Sequence, residues 1–393
     1  MPMHYDLEDN GVRHKVLGGV KRVVIKIGTR LLMDVKGEEP AKRIQQLIDQ
    51  VAALRSTGIE VVLVTSGAIG AGMLVLDTKR RPKRMEALQA HAAVGQCHLM
   101  ALYEAACSQN GFHCAQLLLT AADLQDHERH LKVSLCMDEL LNGGVLPIVN
   151  ENDSVCVDEI KVGDNDTLAS YVASICRADC TILLTTVEGF CESKDGKLGW
   201  RISVVHAIDS DLLAMANGTD GNRFSVGGMA TKLHAALINT TCGEPLLIAD
   251  GADFAILKRI FAGEDCGTLF MPKGTSRMHA HQRFLALFSS PKGEIIVDEG
   301  AEDALCRHGK SLLPIGVIGM KGVFSAGETV VVSNCRRREI GRGTVNFGTA
   351  ELSKICGRPT SELKRSLGYE PQATEVIHRN ALVLTGWNIF DWE

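Results

Sequence analysis

Continuous apolar runs of strand length, separated by stretches of helix length, recur along the first two-thirds of the chain. Residues 23–27, 61–64, 115–119, 145–149, 181–184 and 246–249 are such runs. Between the first two, residues 40–57 have helical spacing. Ile44, Leu47, Ile48, Val51 and Leu54 fall on one face, and Gly58 ends the pattern. Further helical patterns cover 83–109, a stretch ending near Leu141, 168–175 and 229–239. Strands that are apolar throughout, rather than alternately, are covered on both faces. The pattern therefore predicts an α/β protein with an open, mostly parallel sheet between helix layers. Such sheets take ligands where strands end and loops begin.

The pattern changes after about Pro272. Residues 271–281 are polar, with Pro, Gly, Ser and His, and read as a linker. Beyond them, short strand-like pieces at 294–297, 317–318, 329–332, 339–344 and 381–385, with one helix at 301–308, predict a small β-rich domain. A chain of 393 residues exceeds what one core usually holds. The expected division is a catalytic domain over 18–274, a linker over 275–290 and a β-rich domain over 291–388. A net charge of −5 argues against a chain built mainly to coat nucleic acid or an anionic membrane. Residues 1–17 lack the apolar core of a signal peptide, and no apolar run approaches the roughly 20 residues of a membrane helix, so a cytoplasmic protein is expected. The 13 cysteines are scattered, with no CxxC pair, which suits reduced thiols better than disulfides or zinc.

The polar residues that break this pattern gather at predicted strand ends. Lys26 interrupts an apolar strand, where an unpaired charge is unfavourable. It either leaves the sheet at the strand end or meets an anion, and Gly28 beside it would let backbone amides approach a phosphate. Ser66-Gly67-Ala68 opens a run of small residues leading toward a helix; it reads as an anion-binding turn or as a plain turn, and it lacks the Walker A ending. Asn150-Glu151-Asn152-Asp153 would grip a small zwitterion or form an Asx-rich turn. Asp164-Asn165-Asp166 is a carboxylate pair flanking an amide, or the cap of the helix that follows. The run Val226-Gly227-Gly228-Met229-Ala230-Thr231-Lys232 leads into a helix and suits nucleotide phosphates, with Met229 better read as packing. Lysines far apart in sequence, together with Asp-Asn-Asp, suit phosphoryl transfer: cations spread the charge of the moving group, and carboxylates hold the cations and a metal. His127 and His130, beside Asp126 and Glu128, read better as a solvated helix face than as a metal site.

Together, residues 24–29, 64–69, 149–153, 162–166 and 227–232 resemble the glutamate 5-kinase family in order and rough spacing, and the tail, at 297–301, 313–317 and 322–324, resembles the PUA domain that many members carry. The resemblance covers nearly the whole chain. It implies the amino-acid kinase fold and the reaction of ATP with L-glutamate to give L-glutamyl 5-phosphate, the first step of proline synthesis, with Mg²⁺ as cofactor. By that resemblance Lys26 and Lys232 stabilise the transferring phosphoryl group, Asp166 orients both lysines, and Asp164 assists with charge balance and magnesium. Ser66, Asn150, Asp153 and Asn165 hold glutamate, with the amides of Gly67 and Ala68. Gly28, Thr185, Thr186 and the segment Val226, Gly227, Gly228, Met229, Ala230, Thr231 and Lys232 hold ATP.

The resemblance also implies a homo-oligomer (dimer or tetramer), proline as a feedback inhibitor, and hand-over of the product to glutamate-5-semialdehyde dehydrogenase. Two positions depart from the family pattern. Thr186 stands where Asp is common, and Val226 where Thr is common; neither touches the lysines or the Asp164/Asp166 pair. Other readings are an acyl-phosphate kinase of the same fold acting on N-acetylglutamate or aspartate, and an RNA-binding role for the PUA-like domain. For the latter, Arg336, Arg337 and Arg338, with Arg342 nearby, supply local positive charge, or else form a solvated hairpin face.

Overall fold

The computed structural model describes residues 5–33, 39–155, 164–194, 197–217, 228–272 and 277–385. The chain divides into a larger unit, residues 1–124 and 128–277, and a smaller one, residues 125–127 and 278–393. The larger unit contains strands β1 (Tyr5–Asp6), β2 (Arg22–Ile27), β3 (Glu60–Val64), β4 (Cys114–Leu119), β5 (Leu146–Glu151) and β6 (Cys180–Thr185). It continues with a separate hairpin, β7 (Cys191–Lys194) and β8 (Lys197–Arg201), then β9 (Val204–Val205), β10 (Leu246–Asp250) and β11 (Thr268–Phe270).

Among the described residues, nine of these strands form one sheet in the order β1-β9-β11-β10-β6-β2-β3-β5-β4. From β10 through β4 every neighbour is parallel. Antiparallel pairing is confined to β10 with β11 and β1 with β9. The central strands are apolar because helices cover both faces, and Val23, Val24, Ile25, Val62, Leu63, Ile148 and Ile182 have no exposed surface. Their register aligns the carboxyl ends: Lys26 lies opposite Val64 on β3 and Leu183 on β6, and Val64 lies opposite Val149 on β5. The residues following these strands therefore share one edge of the sheet.

The helix Pro40–Ser56 buries the five-residue apolar face expected of it. Two other helices, Ala68–Val75 and Met85–Gln109, cross with almost no room between their backbones. A Cβ at Gly72 would stand 1.9 Å from the carbonyl oxygen of His91. One at Gly95 would stand 1.8 Å from that of Ala68 and 2.3 Å from the amide nitrogen of Gly72.

The smaller unit is built on β12 (Gly293–Val297), β13 (Val317–Gly322), β14 (Thr329–Ser333), β15 (Glu339–Thr344) and β16 (Leu382–Leu384), in the order β13-β12-β14-β15-β16. The helix Glu299–His308 is capped by Asp298, whose Oδ1 accepts from the Ala301 amide at 2.7 Å. Ile295, Val297, Leu305, Val330, Val332, Leu352 and Ile355 belong to its own core. The stretch 275–290, which reads as a linker, carries the helix Ala280–Leu287. Gln282 accepts from the amide of His279 at its start, and Leu285, Ala286, Leu287 and Phe288 are buried. Those apolar residues cluster at the helix end, too close together to display a helical period.

The Gly95 crossing yields a stability prediction. Gly95→Ala forces two backbones apart and should destabilise the protein by about 1–3 kcal/mol, read as a lower urea midpoint at unchanged m-value. An unchanged midpoint would show that the helices separate freely.

Candidate active site

Lys26, near the carboxyl end of β2, points a nearly buried ammonium group at Asp166: its Nζ lies 2.6 Å from Oδ1. Lys232, in the first turns of the helix Met229–Cys242, places its own Nζ 3.0 Å from Oδ2 of the same carboxylate. Asp166 is 1% exposed and sits in the first turn of the helix Asn165–Cys176, where the helix dipole favours an anion. The Thr231 hydroxyl donates to the Gly228 carbonyl at 2.8 Å and stands 3.3 Å from Asp166 Oδ2. Burial pushes the Asp166 carboxyl up. The two lysines outweigh burial and hold it below the ordinary carboxylate value.

Buried hydrogen bonds fix the two helices that carry this group. Thr181 on β6 donates to Asn239 Oδ1 at 2.7 Å. Asn239 Nδ2 donates to Ser170 Oγ at 2.6 Å, and Ser170 donates to the Ala235 carbonyl at 3.1 Å. This ladder joins the strand to both helices and sets the register in which Lys232 faces Asp166.

The neighbouring strand ends supply a second polar group. Asn165 Nδ2 contacts the Thr65 carbonyl at 2.9 Å, Ser66 Oγ at 2.6 Å and Asn150 Oδ1 at 3.2 Å. Asn150 Nδ2 donates to Gln96 Oε1 at 2.9 Å. Thr65 shares a hydrogen bond of 2.8 Å with the hydroxyl of Tyr103, whose burial pushes its pKa up. Gly67, with φ 99°, turns the chain into the helix Ala68–Val75 in a conformation that favours glycine. Lys26, Asp166 and Lys232 thus form one cluster, and Ser66, Asn150 and Asn165 another, joined through the adjacent residues Asn165 and Asp166.

Other sequence candidates fall around these clusters. Gly28 lies beside the Lys26 ammonium, where a Cβ would stand 3.8 Å from Nζ. Thr185 is half-buried at the end of β6, and Thr186 is exposed. Gly228 caps the Lys232 helix, with Met229 and Ala230 half-buried in its first turn. Asp153 is half-buried in the turn after β5. Asp164 is the N-cap of the helix Asn165–Cys176, accepting from the Thr167 amide at 2.8 Å; its other carboxylate oxygen is buried without a hydrogen-bond partner among the described residues. Val226 and Gly227, and residues 161–163, lie outside the described residues. In the smaller unit, Arg342 is not part of an exposed basic patch. It is buried, with Nε 3.0 Å from Glu339, while Arg336, Arg337 and Arg338 are exposed, Arg337 pairing with Glu294 at 3.2 Å.

Sequence reasoning missed Gln96, Thr65, Tyr103, Ser170, Thr181 and Asn239. Gln96 had a readable signal: it is a polar residue on the face that also carries Ala92, Leu99 and Tyr103, all buried. The others are ordinary helix and strand residues, apart from Thr65 in the loop after β3, and their partners lie far along the chain.

Comparison with known proteins gives the family. The model of the amino acid kinase family matches residues 21–250, and that of the PUA domain residues 293–367. The chain belongs to the amino acid kinase family and, within it, to the glutamate 5-kinases: the glutamate 5-kinase of Caldanaerobacter subterraneus subsp. tengcongensis is 42% identical over 368 residues, covering 92% of this chain and 97% of that one. That of Moorella thermoacetica is 42% identical over 375 residues, 94% of this chain and 98% of the relative. That of Paraburkholderia phymatum is 41% identical over 374 residues, 94% and 99% respectively.

A carboxylate shared by two buried ammonium groups has a measurable signature. Asp166→Ala leaves both lysines buried without it and should destabilise the protein by about 3–5 kcal/mol in urea titrations at neutral pH. Because the Asp166 pKa is depressed, its stabilising contribution is complete above the unfolded value of about 3.9 and is lost as pH falls through the folded value. The destabilisation should therefore shrink as the titrations are repeated at pH values falling below about 4; a difference that stays constant with pH would rule out the ion pairs as its source.

Proposed function

We propose that the protein transfers the γ-phosphoryl group of ATP to the γ-carboxylate of L-glutamate, giving L-glutamyl 5-phosphate and ADP, the first step of proline synthesis. The observation that carries this reading is the pair of buried lysines on one buried carboxylate at the carboxyl edge of the sheet, in a chain whose relatives over nine-tenths of its length are glutamate 5-kinases.

An oxygen of the glutamate side chain attacks the γ-phosphorus, and the bond to the β–γ bridging oxygen breaks. The acceptor, with an ordinary pKa of about 4.3, is already an anion at neutral pH, so no general base is needed. The task left to the protein is alignment and charge neutralisation. Lys26 and Lys232 spread the charge on the transferring group, and Asp166 keeps both ammonium groups aimed at one point. Ser66, Asn150, Asp153 and Asn165, with the amides of Gly67 and Ala68, hold glutamate. Gly28, Thr185, Thr186 and the segment 226–232 hold ATP. The first amides of the helix Met229–Cys242 have no partner within the helix and suit phosphate oxygens.

The unpartnered buried oxygen of Asp164 fits an oxygen ligand for Mg²⁺, direct or through water. When bound with the nucleotide, Mg²⁺ supplies further neutralisation of phosphate charge.

Purified protein with ATP, Mg²⁺, glutamate and hydroxylamine should form glutamyl hydroxamate, and aspartate or N-acetylglutamate in place of glutamate should not give comparable turnover. Lys232→Ala should lower kcat by about 10²- to 10³-fold, the effect of removing one transition-state charge donor. Turnover unchanged in that variant would remove Lys232 from the chemistry.

A further inference from the structure

The hydrogen bonds around Asn150 run in one direction only. Its Oδ1 accepts from the Glu151 amide at 2.9 Å and from Asn165 Nδ2 at 3.2 Å. A backbone N–H can only donate, so Oδ1 must face Glu151 and Nδ2 must face Gln96. The group that meets Nδ2 is Gln96 Oε1, at 2.9 Å, on a side chain 7% exposed. Asn150 Oδ1 is thereby held by the Glu151 amide, with Asn165 Nδ2 as a longer third contact of a group that has two hydrogens, and one N–H of Asn150 Nδ2 is unused among the described residues. Asn165 is fixed in the same sense, its Nδ2 turned to the Thr65 carbonyl and to Ser66 Oγ. Ser66 accepts that bond and keeps its own O–H to donate. The cluster then offers two donors, Asn150 N–H and Ser66 O–H, and one acceptor, Asn165 Oδ1.

We infer that Gln96 is a positioning residue for the acceptor-substrate site: by accepting from Asn150 it secures, together with the Glu151 amide, the polarity of the Asn150–Asn165–Ser66 cluster, which then matches a carboxylate beside an ammonium group. The inference rests on the glutamate reading proposed above. Gln96 reaches Asn150 because its neighbour Gly95 lets the helix Met85–Gln109 press against the backbone of Ala68, the residue that begins the helix after the Ser66 turn. With a side chain that cannot accept, Asn150 is held through Oδ1 alone and Nδ2 loses its buried acceptor, so the amide is held less firmly. A flipped amide would turn a carbonyl oxygen toward the substrate carboxylate and repel it.

The test is steady-state kinetics on Gln96→Met, which preserves volume and removes the acceptor. The KM for glutamate should rise about tenfold, the effect of losing one orienting hydrogen bond, while the KM for ATP and kcat stay within about twofold. The rise in Tm produced by glutamate without nucleotide should shrink in parallel. Gln96→Glu keeps an oxygen facing Asn150 and should hold the glutamate KM within about threefold of wild type, a comparison that stands even where the Met variant does not fold. An unchanged glutamate KM in Gln96→Met, an equal rise in the KM for ATP, or a loss in Gln96→Glu as large as in Gln96→Met would each overturn the role of Gln96 and leave the glutamate reading intact. Wild-type protein with no glutamate-dependent turnover would overturn both.

Discussion

One carboxylate holding two ammonium groups is the constraint that organises the larger unit. Asp166, Lys26 and Lys232 together carry one net positive charge in a place nearly closed to water. On the reading proposed above, that positive charge is what meets the phosphate of the nucleotide. Without Asp166, the mutual repulsion of the two lysines would separate them, and the charge would be spread over a wider volume. With it, both ammonium groups stand within one carboxylate's reach, which on the proposed reading leaves little reorganisation for the moment of transfer.

The three groups come from three elements of different origin, and this governs what the sequence reveals. The interior strands β2, β3, β5, β6 and β10 are legible because burial on both faces leaves continuous apolar runs, and Lys26 is legible because it is a charge inside one of them. The strands β1, β9 and β11 are two or three residues long and hold no period; the pairing of β9 with β11 and β1 makes them strands. The candidate site was legible as a set of polar loops at strand ends. The contacts between Lys232 and Asp166, 66 positions apart, follow from tertiary packing that no local pattern encodes. The chemistry of phosphoryl transfer and the family resemblance, rather than spacing, connected these residues. Gln96, Ser170 and Asn239 stayed hidden for a related reason: a single polar residue in a helix face carries no information about which distant partner satisfies it.

The polar ladder through Thr181, Asn239 and Ser170 shows how tertiary packing becomes precise enough for chemistry. Apolar side chains alone would hold the helices Asn165–Cys176 and Met229–Cys242 together, because hydrophobic burial is proportional to area and indifferent to direction. It would tolerate a small slide of one helix along the other, and a slide of about 1 Å is enough to spoil a near-attack geometry. Buried hydrogen bonds do not tolerate it, since each displaced donor or acceptor is left without a partner where water cannot replace it. Asn239 bonds to both the strand and the facing helix, so moving either breaks a buried bond. The same logic holds at the acceptor end, where Asn165 ties the first turn of one helix to the ends of β3 and β5. Because Asn165 and Asp166 are consecutive, the network around Asn165 also sets the height of the carboxylate that holds the lysines. On the proposed reading, the two halves of a phosphoryl transfer are thereby registered to each other through one turn of one helix.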